Sequence, residues 1–241
     1  SSRDELTRAL SKEKELSDLK SRFVSMASHE FRTPLSTILS SASLVAKYVE
    51  TAEQEQRNRH INRIKSSVNN LTDLLNEFLS IGKIEDGKIS ANNHHFNLKE
   101  LIVSLCSEME AIAKSKQQFK YVHTGNEMIF SDPALLRNVI TNLLSNAIKF
   151  SPEGSITEVK SNVTKEAIVL SIKDNGIGIS GEDQAHLFER FFRGANVTNI
   201  QGTGLGLHIV GKYIELLDGR IEFESELEKG TRFIITLERH S

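Results

Sequence analysis

The chain has 241 residues, 38% hydrophobic and 26% charged, with a formal net charge of -2. At ~100–200 residues per domain this allows one or two domains. The near-neutral balance gives no sign of a nucleic-acid partner, which would favour a strongly basic face. No apolar run approaches the ~18 residues needed to cross a bilayer, and no signal peptide opens the chain. The first residue is Ser1 rather than Met, so a fragment is expected, with any membrane segment lying upstream. Cys106 is alone, which rules out an internal disulfide and points to a reducing compartment. Its expected role is that of a small buried apolar residue in a helix.

The first ~85 residues read as helix. Only Pro34 and Gly82 interrupt them, whereas glycines and β-branched runs become frequent afterwards. A domain boundary is therefore expected near Asp86-Gly87. Residues 1–20 are charged with sparse leucines and read as a coiled-coil lead-in, or else as a solvated helical extension. Leu16, Leu19, Phe23 and Met26 repeat at three-four spacing, as do Ile61, Ile64, Val68, Leu71, Leu75 and Phe78. Ala27, Phe31, Leu35, Ile38, Ala42 and Val45 form a second, offset stripe. Two stripes need more than one neighbour, which predicts an antiparallel hairpin over 21–86 that dimerises into a four-helix bundle. Polar residues Val49 to Arg57 are expected to make the turn.

Residues 87–241 alternate helices and strands. Helices are expected over Leu98–Lys114, from Pro133 to Phe150 with Ser131 or Asp132 as cap, and over Leu205–Leu217. Strands are expected near Phe119–His123, Met128–Phe130, Ile156–Asn162 and Ala167–Lys173, with a final hairpin of Arg220–Ser225 and Thr231–Glu238. Helices interleaved with antiparallel strands predict an α/β sandwich, one sheet covered by helices on one face.

His29 lies in Ser-His-Glu-Phe-Arg-Thr-Pro-Leu. At ~100° per residue it points ~160° from the centre of the Phe31, Leu35, Ile38 and Ala42 stripe, and is therefore exposed. Thr33, four residues on, shares its face, and Glu30 is adjacent. Pro34 removes one helical hydrogen bond just beyond. A neutral imidazole can attack phosphorus while a neighbouring carboxylate orients the ring. Taken alone, such a residue is most often a solvent-facing histidine with no task. A zinc protease is excluded, because the second histidine of His-Glu-x-x-His is replaced by Thr33.

Four clusters suggest a nucleotide. Asn138, Asn142 and Asn146 share one helix face with Lys149, although Asn is unfavourable inside helices. Amide oxygens suit Mg²⁺, and Lys suits phosphate. Asp174-Asn175-Gly176-Ile177-Gly178 follows a strand, where a carboxylate can accept from an exocyclic amine and glycines allow close approach. Gly202-Thr203-Gly204-Leu205-Gly206 opens a helix, whose N-terminal N–H groups favour phosphate. Its spacing differs from the dinucleotide fingerprint Gly-x-Gly-x-x-Gly, and no Walker loop is present. Phe188-Glu189-Arg190-Phe191-Phe192-Arg193 lies in the segment between the glycine clusters. That segment, about 179–201, is long for a connector and reads as a lid.

Ser28 to Leu35 resembles the H-box of bacterial sensor histidine kinases. Asn142 to Pro152 resembles their N-box, Asp174 to Gly178 and Gly202 to Gly206 their two glycine boxes, and Phe188 to Arg193 their phenylalanine box. The resemblance runs from about Asp18 to Leu237, in the family's order. It implies a dimerisation and phosphotransfer domain followed by an ATP-binding domain of the Bergerat (GHKL) fold. It further implies that His29 is the phosphoacceptor, Glu30 its base, and Thr33 a partner of Glu30 in dephosphorylating a regulator. Asn146 would be the main Mg²⁺ ligand with Asn142 nearby, Lys149 would lie at the phosphates, and Asp174 would read the adenine amine. Gly176, Gly178, Gly202, Thr203, Gly204, Leu205 and Gly206 would contact nucleotide or form the hinges of the lid. Arg190 or Arg193 would touch the γ-phosphate, and the motif does not choose between them. The implied partners are a second copy of the chain, a response-regulator receiver domain and an upstream sensor domain. The implied place is the cytoplasm, or the cytoplasmic part of an inner-membrane protein. Other ATPases of the Bergerat fold share the nucleotide motifs but lack a His29 motif, and a scaffold without activity has no need of Asn146, Lys149 and Asp174.

Overall fold

The computed structural model describes residues 2–194 and 202–238. The chain falls into two compact units, Ser1–Leu79 and Ser80–Ser241.

The first unit is a helical hairpin. Helix α1 spans Ser2–Val45, a 3-10 turn spans Thr51–Glu53, and α2 spans Gln54–Glu85, crossing into the second unit for its last residues. The two helices run antiparallel, since Phe31 meets Phe78 at 5.7 Å between ring centroids and Tyr48 stacks on His60, also at 5.7 Å. The turn is tighter than its polarity suggests. Arg57 belongs to α2, and its guanidinium donates back to the Tyr48 and Glu50 carbonyls at 2.6 and 2.8 Å, both in the turn beyond the end of α1 at Val45.

The inward face of the hairpin is more polar than the apolar pattern suggests. Glu30, Pro34 and Ser41 of α1 and His60, Ser67 and Leu74 of α2 are buried. Leu35, Leu39, Val68, Leu75 and Leu79 are exposed instead. The stripes read from the sequence thus include a face that this chain does not cover by itself. The seam expected at Leu16, Leu19 and Phe23 lies outside the described side chains.

In the second unit, strand β1 (His94–Asn97) precedes α3 (Leu98–Glu110), β2 (Gln118–Gly125), β3 (Met128–Ser131) and α4 (Pro133–Phe150). Then come β4 (Ile156–Val163), β5 (Ala167–Lys173), the short α5 (Gly181–Gln184), α6 (Gly206–Leu216), β6 (Gly219–Glu226) and β7 (Gly230–Glu238). The main sheet has the order β2-β4-β5-β7-β6. All its pairs are antiparallel except β2 with β4, which is parallel. Strand β1 pairs with β3 in a separate ribbon.

Helices α3, α4 and α6 bury Leu98, Ile102, Leu105, Leu136, Leu143, Leu144, Ile209 and Ile214, while β4, β5 and β7 bury Val159, Ile168, Leu170, Ile172, Phe233 and Ile235. This alternation on the strands and 3.6-residue period on the helices make one apolar layer between sheet and helices. Cys106 is part of it, and burial with the nearby Glu110 charge pushes its thiol up to about 11, so it stays unreactive at neutral pH. Leu144 is fully buried at the centre of α4. Leu144→Ala is expected to destabilise this unit by about 2–5 kcal/mol through lost transfer energy and a cavity, read as a lower denaturant midpoint at constant slope.

Candidate functional site: an exposed histidine and a nucleotide pocket

His29 and the nucleotide clusters lie in different units. On α1, the His29 side chain is 74% exposed and that of Glu30 only 7%. Nδ1 of His29 stands 3.6 Å from Oε1 of Glu30. A carboxylate on that side favours the tautomer with the proton on Nδ1, which leaves the Nε2 lone pair free. Thr33 is exposed, and Pro34 is buried. Because Pro34 has no N–H, the Glu30 carbonyl lacks its usual helical donor. Helix α1 nonetheless continues through Pro34 to Val45.

Helix α4 begins at a well-made cap. Asp132 Oδ1 accepts from the N–H groups of Ala134 and Leu135 at 2.8 and 3.0 Å, Pro133 takes the first turn, and Oδ2 accepts from Asn92 N at 2.8 Å. The buried leucines on one side turn the asparagines to the other. Asn138 donates its amide N–H to the Ala134 carbonyl, and Asn142 to the Asn138 carbonyl, both at 2.9 Å. These bonds use the amide donors and leave the side-chain oxygens available. The Asn142 oxygen faces Gly206, close enough that a Cβ there would lie 2.9 Å away. Asn146 is half-buried and makes no side-chain hydrogen bond among the described residues. Lys149 sits 5.2 Å over the Phe150 ring, with its ammonium beside Gly202. The C-terminal end of α4 is held by two residues that sequence motifs did not single out. Lys114 donates to the Lys149 and Ser151 carbonyls at 2.9 and 2.7 Å, and Gln117 to those of Ile148, Ser151 and Pro152. Their only sequence trace is a basic and an amide residue in the turn after α3.

Asp174 follows β5 and is 8% exposed. Its Oδ1 accepts from Gly176 N at 2.8 Å and Thr231 N at 3.1 Å. Burial raises its carboxyl above the usual range, opposed by those two backbone donors. Both donors act on one oxygen, so Oδ2 remains to accept from a ligand. Gly178 adopts φ +67, and a Cβ there would fall on the Glu226 carbonyl. No other residue fits this approach without moving the β6–β7 turn.

The second glycine cluster is fastened to the phenylalanine cluster. Phe191 N donates to the Gly204 carbonyl at 3.1 Å. Gly204 has φ +70, and a Cβ there would meet the Phe191 and Phe192 backbone. Phe188 packs on Phe223 at 6.0 Å, and Phe223 on Phe233 at 6.2 Å, which ties this segment to the sheet. Thr203 is buried, and its hydroxyl accepts from Leu205 N at 3.2 Å; the Leu205 side chain is fully buried. Beyond it, α6 starts at Gly206, and its N-cap Leu205 gives no side-chain cap among the described residues, which suits the helix start to an anion. Gly202 and Gly206 come beside Lys149 and Asn142, and so the second glycine cluster and the α4 face adjoin. Residues 195–201 of the lid read from the sequence lie outside the described residues.

Arg190 donates from Nε to Nε2 of His208 at 3.2 Å and pairs through Nη1 with Glu85. His208 also meets the Phe188 carbonyl through Nδ1 at 3.0 Å. Burial lowers the His208 pKa, and the Arg190 and Lys212 charges lower it further. Neither His208 nor Glu85 stood out in the sequence. Arg193 is half-buried.

Among the described residues, no group of three His, Cys, Asp or Glu side chains could hold a metal ion. A cation here would depend on amide oxygens and on the ligand's own phosphates. No helix of the described residues is long and apolar enough to cross a membrane.

A helical hairpin with an exposed histidine, followed by an α/β sandwich in which an asparagine–lysine helix face adjoins a glycine cluster, is the class this geometry defines. Residues 19–87 match the His Kinase A (phospho-acceptor) domain, and residues 131–241 match the Histidine kinase-, DNA gyrase B-, and HSP90-like ATPase family. The chain belongs to the sensor histidine kinases. It is 37% identical over 232 residues to the sensor protein GacS of Pseudomonas syringae pv. syringae, covering 92% of this chain and 25% of GacS. It is 33% identical over 225 residues to the autoinducer 2 sensor kinase/phosphatase LuxQ of Vibrio parahaemolyticus, covering 89% of this chain and 26% of LuxQ. The chain thus spans about a quarter of the length of these curated relatives. Among solved structures, full-length ShkA in complex with AMPPNP superposes with a TM-score of 0.67 at 25% identity, covering 88% of this chain and 45% of ShkA. ThkA in complex with the response regulator protein TrrA gives 0.62 at 25% identity, covering 88% and 60%.

Proposed function

We propose that this chain is the kinase core of a sensor protein, which moves the γ-phosphoryl group of ATP to His29 and passes it to an aspartate of a response-regulator receiver domain. The observation that carries this reading is an exposed His29 with Nδ1 turned to the buried Glu30 carboxylate, in a chain whose other unit sets Lys149 and Asn142 of α4 beside the second glycine cluster.

In the first step the Nε2 lone pair forms a bond to phosphorus, and the bond to the β–γ bridging oxygen breaks. ADP leaves with that electron pair. Glu30 holds or takes the Nδ1 proton as the ring gains charge. Asp174 Oδ2 accepts from the adenine amine, and the glycines beside it let the ring approach the backbone. Lys149, the N-terminus of α6, and Arg190 or Arg193 meet the phosphates. The outward amide oxygens of Asn142 and Asn146 fit Mg²⁺, which would neutralise phosphate charge when bound. In the second step the phosphorus–nitrogen bond breaks as the receiver carboxylate oxygen bonds to phosphorus. His29 and Asp174 occupy different units, and a hinge near 81–88 is the proposed means of bringing His29 to the γ-phosphate. The proposed domain division is a lead-in over 1–20, a phosphotransfer hairpin over 21–86 and a catalytic domain over 87–241.

The exposed Leu35, Leu39, Val68, Leu75 and Leu79 support burial against a second copy in a four-helix bundle. The ThkA complex with a response regulator supports a receiver domain as partner, and the kinase/phosphatase name of LuxQ supports a reverse activity through Glu30 and Thr33. An upstream sensor domain and a cytoplasmic location complete the proposal.

Incubation with γ-labelled ATP and Mg²⁺ is expected to place one acid-labile, base-stable label on the peptide that contains His29. A label that survives acid, or one found on another peptide, would overturn this reading. Mixed dimers with His29→Ala in one subunit and Asn146→Asp in the other separate transfer between subunits, which labels them, from transfer within one subunit, which does not.

A further inference from the structure

Arg190 is held at two points that differ in kind. Its Nε is bound by His208, a residue of α6. A carbonyl only accepts, so the 3.0 Å contact of His208 Nδ1 with the Phe188 carbonyl places the ring proton on Nδ1. Nε2 is then an acceptor, matched to the Nε–H of Arg190. The tip of the guanidinium is held differently, by an ion pair to Glu85 in which both side chains keep substantial solvent contact, 33% for Arg190 and 43% for Glu85. The base of the fork is thus anchored on a packed helix, and its tip rests on a weak, exchangeable anion.

Glu85 is the last residue of α2, and Ile81, Ile84 and Lys212 line the same recess as Arg190 and His208. A guanidinium fork that binds a carboxylate also binds a phosphate, with two donors in one plane. We propose that His208 is a positioning residue that presents the tip of Arg190 to one anion at a time, Glu85 in this structure and the terminal phosphate of ATP in the phosphorylating state. This rests on the kinase reading above and adds to it an answer to which arginine meets the γ-phosphate. It also makes the C-terminal end of α2 a competitor of ATP. By linkage, displacing Glu85 strengthens ATP binding, and ATP weakens the hold on Glu85 to the same degree.

The test compares Mg-ATP and Mg-ADP affinity in the full chain, since only ATP carries the terminal phosphate. Glu85→Gln is expected to tighten ATP about 1.4- to 5-fold, the range of an exposed ion pair, with ADP unchanged. His208→Asn keeps a donor near the Phe188 carbonyl but loses the acceptor at Nε2. It is expected to weaken ATP more than ADP, and His208→Gln, whose amide oxygen reaches the Nε2 position, to restore the ratio. An ATP/ADP ratio that Glu85→Gln leaves unmoved, or a Gln variant no better than Asn, overturns the inference while the kinase reading stands. A loss of both nucleotides in His208→Asn marks a structural role and overturns it as well. A wild-type chain that binds neither nucleotide overturns the kinase reading and this inference together.

Discussion

His29→Ala is expected to abolish incorporation of label from γ-labelled ATP while ATP affinity stays within about twofold of wild type. The side chain is 74% exposed and fills no part of the core, so its removal costs no more than about 0.5 kcal/mol of stability. Every residue assigned to the nucleotide lies in the other unit, so the pocket survives the change. Glu30→Gln gives the graded comparison. Its amide keeps the shape but cannot take up the Nδ1 proton, and loss of a positioned base slows such steps by about 10²–10⁴. Labelling in that variant is therefore expected to be slow but to remain on His29. Equal labelling of wild type and His29→Ala would show that another nucleophile accepts the phosphoryl group. Unchanged labelling in Glu30→Gln would leave Glu30 as a buried hairpin residue with no part in the chemistry.

The sequence patterns that survive in the structure are those whose cause is local. Asp132 and Pro133 cap α4 because a side-chain oxygen and a fixed φ suffice for a helix start. The asparagine face of α4 is readable because every neighbouring residue that turns inward is a Leu, Ile, Val or Ala. Exposure of His29 follows from 3.6 residues per turn. Features that depend on distant chain were hidden. Strand β1, His-His-Phe-Asn, carries little strand preference and forms because β3 offers it a partner. The parallel pairing of β2 with β4 depends on α4 carrying the chain across, as parallel neighbours require. Glu30 was placed beside His29 by sequence, but its burial follows from a position one residue round the helix, on the side that α2 covers. The exposed Val68 and Leu75 read as core because periodicity reports an apolar face without saying whose surface covers it. His208 and Arg190 are eighteen residues apart with no motif spacing between them, and only the fold of the phenylalanine segment onto α6 makes them a pair.

Asp174→Asn separates binding from stability at one residue. In the folded chain burial raises the Asp174 carboxyl above its unfolded value. A raised carboxyl holds its proton more tightly when folded, so the ionised form costs stability above the folded pKa. That cost is relieved as pH falls and is gone below the unfolded value. Asparagine carries no such charge, and its Oδ1 can still accept from Gly176 and Thr231. The nucleotide-free variant is therefore expected to be at least as stable as wild type at neutral pH, with the difference shrinking towards acid. Binding should change in the opposite sense. With Oδ1 kept by the two backbone donors, the outward position passes from a carboxylate oxygen to an amide N–H₂, which meets the adenine amine donor to donor. Loss of a charged hydrogen bond of about 1.5–3 kcal/mol corresponds to about 10- to 150-fold weaker ATP binding. GTP presents a carbonyl where ATP presents its amine, so its affinity should not fall in parallel, and the preference for ATP should narrow. Titration of both nucleotides beside denaturant melts at neutral and acid pH checks each part. An equal loss of ATP and GTP with a less stable apo protein would mean that Asp174 holds the β5–β7 junction together and does not read the base.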